Sequence, residues 1–380
     1  MNRFISAAHR AALALVLAAS FVQAAPIEIT VMTRNLYVGA SLAPIFGASD
    51  FSQIPGAVSA VVAAADATKP AERMAAIAKE IELRQPHVVG LQESSLWEVL
   101  DPASGLGFQP LFGGAFHEQL VNNPLLPNYS VHALALNVSN ALPGADGRIY
   151  RLTDFDAILV RDDVLVLPGE ETKQFAAAVP ILLPDSPADD DTDPEQVVLK
   201  RSYGYVDIQI DGLKTRVFNT HLESIVGPVN HAQGLELAAA INASPLLAIA
   251  LGDFNTTTDI GTTGVYGTMT IGANLVDAWD NLKDLNLEPG LTWRDDPLLN
   301  DIPDVDFSLR LDYVFHAKSF QTLSAEVFGN VDDGIPPLFP SDHAGVVATL
   351  LIPEPGSPLL IVLGLAGAGL ARRRGLTPKA

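Results

Sequence analysis

Asp253 and Asn255 lie two residues apart in Gly252-Asp253-Phe254-Asn255, directly after the apolar run Leu246-Leu247-Ala248-Ile249-Ala250-Leu251. Side chains two apart on an extended segment face the same side, so a carboxylate and a carboxamide project together. That pair suits attack at a phosphorus or carbonyl centre. It equally suits a turn that Asp253 caps and Asn255 stabilises. Comparable polar groups follow other apolar runs: Arg34-Asn35, Gln92-Glu93 and Asn219-Thr220-His221. Arg310-Leu311-Asp312-Tyr313-Val314-Phe315 and Ser341-Asp342-His343 complete the set. Carboxylate and carboxamide ligands in a chain without cysteine favour Mg2+, Mn2+ or Ca2+ over zinc. Phosphate esters call for such a set, because anionic oxygens repel nucleophiles and charge spreads over several oxygens in the transition state. A hard cation, a water held in line and donors for the non-bridging oxygens meet that need. No Gly-x-Ser-x-Gly turn supplies a serine nucleophile, which disfavours acyl chemistry.

These groups must be delivered by strands. Pro245 opens and Gly252 closes the run before Asp253, the pattern of a short buried strand. Strands are expected over 27–34, 87–91, 130–136, 157–161, 311–316 and 346–352. Tyr203–Ile210 and Leu213–Asn219, joined by Asp211-Gly212, form the clearest hairpin. Pro70 starts and Pro86 stops a helix whose Met74, Ile77 and Ile81 share one face. Further helices are expected near 232–241 and 276–286. Residues 94–128 read as loops with one short helix. The segment 181–195, rich in Asp and Pro, reads as a solvated acidic insertion rather than an ion site.

GDFN, RLDYVF and SDH, in this order and with these spacings, resemble the endonuclease/exonuclease/phosphatase superfamily. Its metal-dependent phosphoesterases include relatives of secreted pancreatic-type DNase and of neutral sphingomyelinases. The resemblance runs from Asn35 to His343 and implies an α+β fold, a four-layer α/β/β/α sandwich of two mixed sheets. It assigns Glu93 to the metal, with Asn35 supporting that metal or a phosphate oxygen. Asp342 would bind the metal or a group behind it. Asp253 would orient or deprotonate the attacking water, and Asn255 would donate to a phosphate oxygen. An Asp312–His343 pair is implied, the carboxylate fixing the tautomer of the imidazole. His221 takes the position that contacts the scissile phosphate or assists the leaving group. Asp156 either joins the site or serves a turn. The other histidines and Trp97, Trp279 and Trp293 read as structural.

Composition narrows the partners. Lys and Arg number 23 against 44 Asp and Glu, a net charge of −21. So acidic a surface repels polyanions until salt screens it, within about 10 Å, and argues against a broad nucleic-acid footprint. It does not argue against a small phosphoester, because bound cations reverse the local sign. Residues 1–24 combine Arg3 and Arg10 with an apolar centre and a small-residue exit, an export signal cleaved near Ala24 or Ala25. Pro353-Glu354-Pro355, the apolar 358–371 and Arg372-Arg373-Arg374 resemble a bacterial sorting tail read by a membrane protease. The catalytic domain is therefore expected over 25–353, with residues 354–380 outside it. The expected activity is hydrolysis of a phosphodiester, from nucleic acid or a phospholipid head group, with no obligate protein partner indicated. A non-catalytic acidic surface protein that binds cations or polysaccharide is the competing reading.

Overall fold

The computed structural model describes residues 26–186, 195–258, 264–299, 306–330 and 339–352. The export signal and the sorting tail expected from the sequence lie outside these residues. The first part of the chain alternates strand and helix. It runs through β1 (Ile27–Asn35), α1 (Ala43–Phe46), α2 (Ile54–Ala67), α3 (Pro70–Arg84) and β2 (Val88–Gln92). Then come β3 (Leu96–Leu100), β4 (Gln109–Pro110), α4 (Phe116–Val121) and the long pair β5 (Tyr129–Pro143) and β6 (Ile149–Arg161). Next are β7 (Leu165–Gln174), the ribbon of β8 (Val179–Leu183) and β9 (Glu195–Leu199), and the hairpin β10 (Ser202–Ile210) and β11 (Leu213–His221). The chain continues through α5 (Gly227–Asn242), β12 (Leu247–Asp253), β13 (Leu275–Asp277), β14 (Asp312–Ala317), β15 (Gln321–Phe328) and β16 (Gly345–Ile352).

Among the described residues, eight strands form one mixed sheet in the order β15-β16-β1-β2-β6-β3-β4, with β5 also on β6. Six form the second, in the order β13-β14-β12-β11-β10-β7. Strand alternation assigns the faces. Met32, Val89, Leu91 and Leu159 pack outward against Ile54, Val61, Met74, Ile77 and Ile81 of α2 and α3. Phe218, Ala248, Ala250 and Phe315 pack outward with Leu237 and Ile241 of α5. The intervening residues, among them Val31, Val88, Ile158, Val217, Ile249 and Leu251, are fully buried between the sheets. This is the four-layer α/β/β/α sandwich.

One polar group spans the interface. Asn219 of β11 donates from Nδ2 to the carbonyls of Leu91 (2.9 Å) and Ala157 (3.0 Å) in the other sheet. Its Oδ1 accepts from Gln92 Nε2 at 2.6 Å. Gly90 makes room: a Cβ there would lie 2.5 Å from Asn219 Oδ1. Gly252 is a second tight point, with φ +150° and Thr220 O only 2.1 Å from where a Cβ would stand.

The Asp211-Gly212 hairpin forms with both residues at positive φ, as a two-residue turn of this type requires. The helix expected near 276–286 does not form. Leu275–Asp277 instead pairs with β14, and Asp277 Oδ1 accepts the Trp279 N–H, turning the chain. Within 94–128 the structure holds β3 and β4 as well as the expected short helix. The edge strands β7 and β15 and the full length of β5 and β6 go beyond what the sequence pattern suggests. Edge strands exposed on one or both faces lack the apolar alternation that marks a strand. The acidic insertion expected over 181–195 overlaps the end of β8 and the start of β9, and its residues 187–194 lie outside the described residues.

Asn219→Leu leaves two buried carbonyls and the Gln92 amide without a partner, and is expected to cost about 2–4 kcal/mol in urea denaturation. A loss under about 1 kcal/mol would mean that the sheets do not depend on this carboxamide. Gly252→Ala must push β12 away from β11, at a cost of about 1–3 kcal/mol. Gly56→Ala in α2, where a Cβ meets nothing within 4 Å, should stabilise by about 0.5–1 kcal/mol in the same assay.

Candidate active site

Strand register sets three of the expected residues side by side. His221 ends β11 opposite Asp253 at the end of the parallel β12, and Asp253 pairs with Asp312 at the start of β14. From the other sheet, Asn35 ends β1 opposite Gln92, and Glu93 follows. The loop into β16 brings Asp342 and His343. Glu93, His221, Asp253, Asp342 and His343 line a cleft of about 430 Å³ that also takes in Asn255, Thr256, Thr257, Ser224, Trp293, Leu309 and Leu311, with Asn35 and Asp312 buried behind it. Glu93 and Asn255 adopt φ of 53° and 46°. Left-handed backbone at two non-glycine residues is strain held by the surrounding structure, a recurrent feature of functional sites.

Asp253 is the hub. Asn35 Nδ2 donates to its Oδ2 at 3.2 Å, and the Nε2 atoms of His221 and His343 each lie 3.6 Å from that oxygen. Its Oδ1 accepts the Asn255 backbone N–H at 3.0 Å. Asn35 Nδ2 also reaches Glu93 Oε1 at 3.3 Å, while Asn35 Oδ1 accepts the Tyr37 N–H. Glu93 Oε2 accepts the Val38 N–H at 2.6 Å, leaving Oε1 directed at the cleft, 4.0 Å from His221 Nε2. Asn255 Nδ2 holds the Leu222 carbonyl at 2.9 Å, so one of its two donor hydrogens fixes the loop after β12.

The surroundings push the two histidines in opposite directions. His343 Nδ1 meets Asp312 Oδ2 at 2.8 Å. Burial opposes its cation, but the charges of Asp312 and Asp253 prevail and hold its pKa well above the ordinary value. His221 is held well below, first by burial and then by the Arg201 charge. Arg201 Nη1 lies 3.1 Å from His221 Nδ1, and a guanidinium can only donate. His221 Nδ1 is therefore the acceptor, and the neutral ring carries its proton on Nε2, facing Asp253 and Glu93. Burial pushes Asp253 and Asp342 up to about 7, against the attraction of His343.

Two buried arginines brace the site from behind. Arg34 pairs with Glu80 through Nε (3.0 Å) and Nη2 (3.2 Å), and its Nη1 donates to the His343 carbonyl. Arg73 donates to the carbonyls of Leu36, Tyr37 and Pro340. Both fix backbone rather than line the cleft.

The donor set fits a divalent cation. The ligand atoms of Asp253, Asp312 and His343 lie within 4.8 Å of one another, and the Asp312 Oδ1 is buried without a hydrogen-bond partner. Glu93 and Asp342 add two more carboxylates to the same cleft. Asp156 stands apart: it is buried in β6, does not line the cleft, and neither of its oxygens has a hydrogen-bond partner. Burial and neighbouring Asp154 drive its pKa far upward. Among the histidines read as structural, His87, His117 and His316 bond Thr30, Ser94 and Thr322 respectively. Trp97 and Trp279 are buried, but Trp293 lines the cleft. Arg201 and Trp293 are the residues that sequence reasoning missed. The signal for Arg201 was the Lys200-Arg201 pair in a chain where acidic residues outnumber basic ones.

A model of the Endonuclease/Exonuclease/phosphatase family matches residues 35–343. No curated protein of matching sequence is found. Among solved structures, the endonuclease/exonuclease/phosphatase from Bacteroides vulgatus is 17% identical, covers 86% of this chain and 100% of its own, and superposes with a TM-score of 0.50. A family protein from Bacteroides thetaiotaomicron is 18% identical, with coverages of 87% and 97% and a TM-score of 0.49. D. rerio TDP2 complexed with single-strand DNA product is 17% identical, with coverages of 85% and 98% and a TM-score of 0.49. With the family match spanning every residue of the cleft, the chain belongs to the Endonuclease/Exonuclease/phosphatase family and is a phosphoric ester hydrolase.

Proposed function

We propose that this chain is an exported, divalent-metal-dependent phosphodiesterase. The observation that carries the reading is the convergence on Asp253 Oδ2 of one carboxamide and two histidines. Glu93 and Asp342 would hold the metal beside Asp253, with Asn35 supporting that metal or a phosphate oxygen; the carboxylate oxygens favour Mg2+ or Mn2+, with Ca2+ the remaining candidate. When bound, the ion supplies Lewis acidity and offsets the charge of the phosphoryl oxygens. Asp253 takes the proton of the in-line water at Oδ2. His221 donates from Nε2–H to a phosphoryl or leaving-group oxygen, and Asn255 assists with its remaining amide hydrogen. His343, its cation balanced by Asp312, donates a charge-assisted hydrogen bond as negative charge builds. Asp156 takes no part. Export rests on the composition of residues 1–24, and a membrane sorting protease is the proposed reader of residues 354–380.

Protein lacking residues 354–380 is expected to cleave bis(p-nitrophenyl) phosphate with Mg2+ or Mn2+ and to lose turnover to chelator. Asp253→Ala and His343→Ala should each lower kcat by about 10²–10⁴-fold. An unaffected rate in either variant removes the mechanism, and cation binding without turnover on any phosphoester would favour the non-catalytic reading. Arg201→Met frees His221 Nδ1 to take the proton, and kcat is expected to fall about 10- to 100-fold. A wild-type kcat in that variant would show that the guanidinium does not set the ring.

A further inference from the structure

The reactive cleft is one end of a longer trough. Glu93 and Ser224 line it and also an adjoining arm of about 320 Å³, whose walls include Asp154, Lys200 and Arg201. Leu42, Phe46, Val138, Leu152 and Leu199 line both that arm and an adjoining chamber of about 70 Å³. The chamber lies between α1, α2 and the β8–β9 ribbon, over the first sheet, and its lining is almost wholly hydrocarbon. Of its two polar side chains, Tyr150 already directs its hydroxyl to Asp146 at 2.7 Å. Chemistry thus changes in order along the trough: carboxylates and histidines, then a basic step, then aliphatic walls.

We propose that the chamber binds the hydrocarbon chain of an amphiphilic phosphoester whose phosphate sits at Glu93, His221 and Asp253. The proposal rests on the phosphoesterase reading above and names the substrate class for that site. A phosphate there would have Arg201 beside it to balance its charge, and a chain leaving it would exchange water for aliphatic side chains. A polynucleotide fits this trough less well. Among the described residues that line the arm, Lys200 and Arg201 are the only basic ones, and the chamber offers little to bond a base edge or a second phosphate. Leu199 stands at the junction of arm and chamber, away from the reacting groups.

The test is a series of p-nitrophenyl alkyl phosphates, methyl through octyl, below their micellar concentrations and with saturating Mn2+. Each methylene that enters the chamber should raise kcat/KM by about fourfold until the space is full. Methyl to hexyl should therefore gain at least about tenfold. Leu199→Trp, which narrows the junction, should keep wild-type turnover of the methyl ester and lose the gain with chain length. A flat series with the methyl ester still hydrolysed overturns the hydrocarbon site and leaves the phosphoesterase reading intact. No hydrolysis anywhere in the series overturns both. Faster turnover of a single-stranded oligonucleotide than of any alkyl ester overturns the substrate class alone.

Discussion

The carboxamide of Asn219 is the constraint on which the site geometry depends. Leu91 and Ala157 are the last residues paired between β2 and β6, and their carbonyls face the other sheet as those strands diverge. A buried carbonyl needs a donor, and Asn219 serves both from across the interface. Gln92 closes the arrangement and accepts from Thr33 Oγ1 in turn. The consequences reach the chemistry within two residues. His221 is two positions past Asn219 on the same face of β11, and Glu93 directly follows Gln92. Fixing the sheets to one another at this point fixes the distance between their catalytic edges.

Charge is arranged in two layers around that edge. In front, the carboxylates of Glu93, Asp253 and Asp342 face the cleft together with His221 and His343. Behind, Arg34 and Arg73 are buried and hold carbonyls of the segments that carry Asn35, Tyr37 and His343. Arg34 is balanced by Glu80 from α3, so the helix face contributes an ion pair as well as its apolar side chains. Because the arginines are committed to backbone, the excess negative charge of the front layer remains available to a cation. The acidity of the whole chain and the acidity of the cleft are therefore separate matters, the first acting at long range and the second within a few ångströms.

Much of this was legible in the sequence because the relevant signals are short. Apolar runs ending in polar groups mark β1, β2, β11 and β12, and buried central strands carry such runs by necessity. The Asp312–His343 pair was implied by the family resemblance that RLDYVF and SDH carry. What remained hidden depended on register or on long-range geometry. Nothing in Leu165–Gln174, nearly all of it exposed or half-buried, distinguishes a strand from a loop. The Val276–Asn286 segment has helical composition, yet pairing with β14 and the turn at Asp277 override it. Arg201 precedes a strand whose far partner carries His221, a relation visible only once β10 and β11 are paired.

The β8–β9 ribbon pairs with neither main sheet. Its two strands pair with each other, and side chains such as Leu183 and Val197 pack into the core of the first sheet. Because β9 runs directly into Lys200, Arg201 and β10, a change in the ribbon is passed on to the guanidinium that bonds His221.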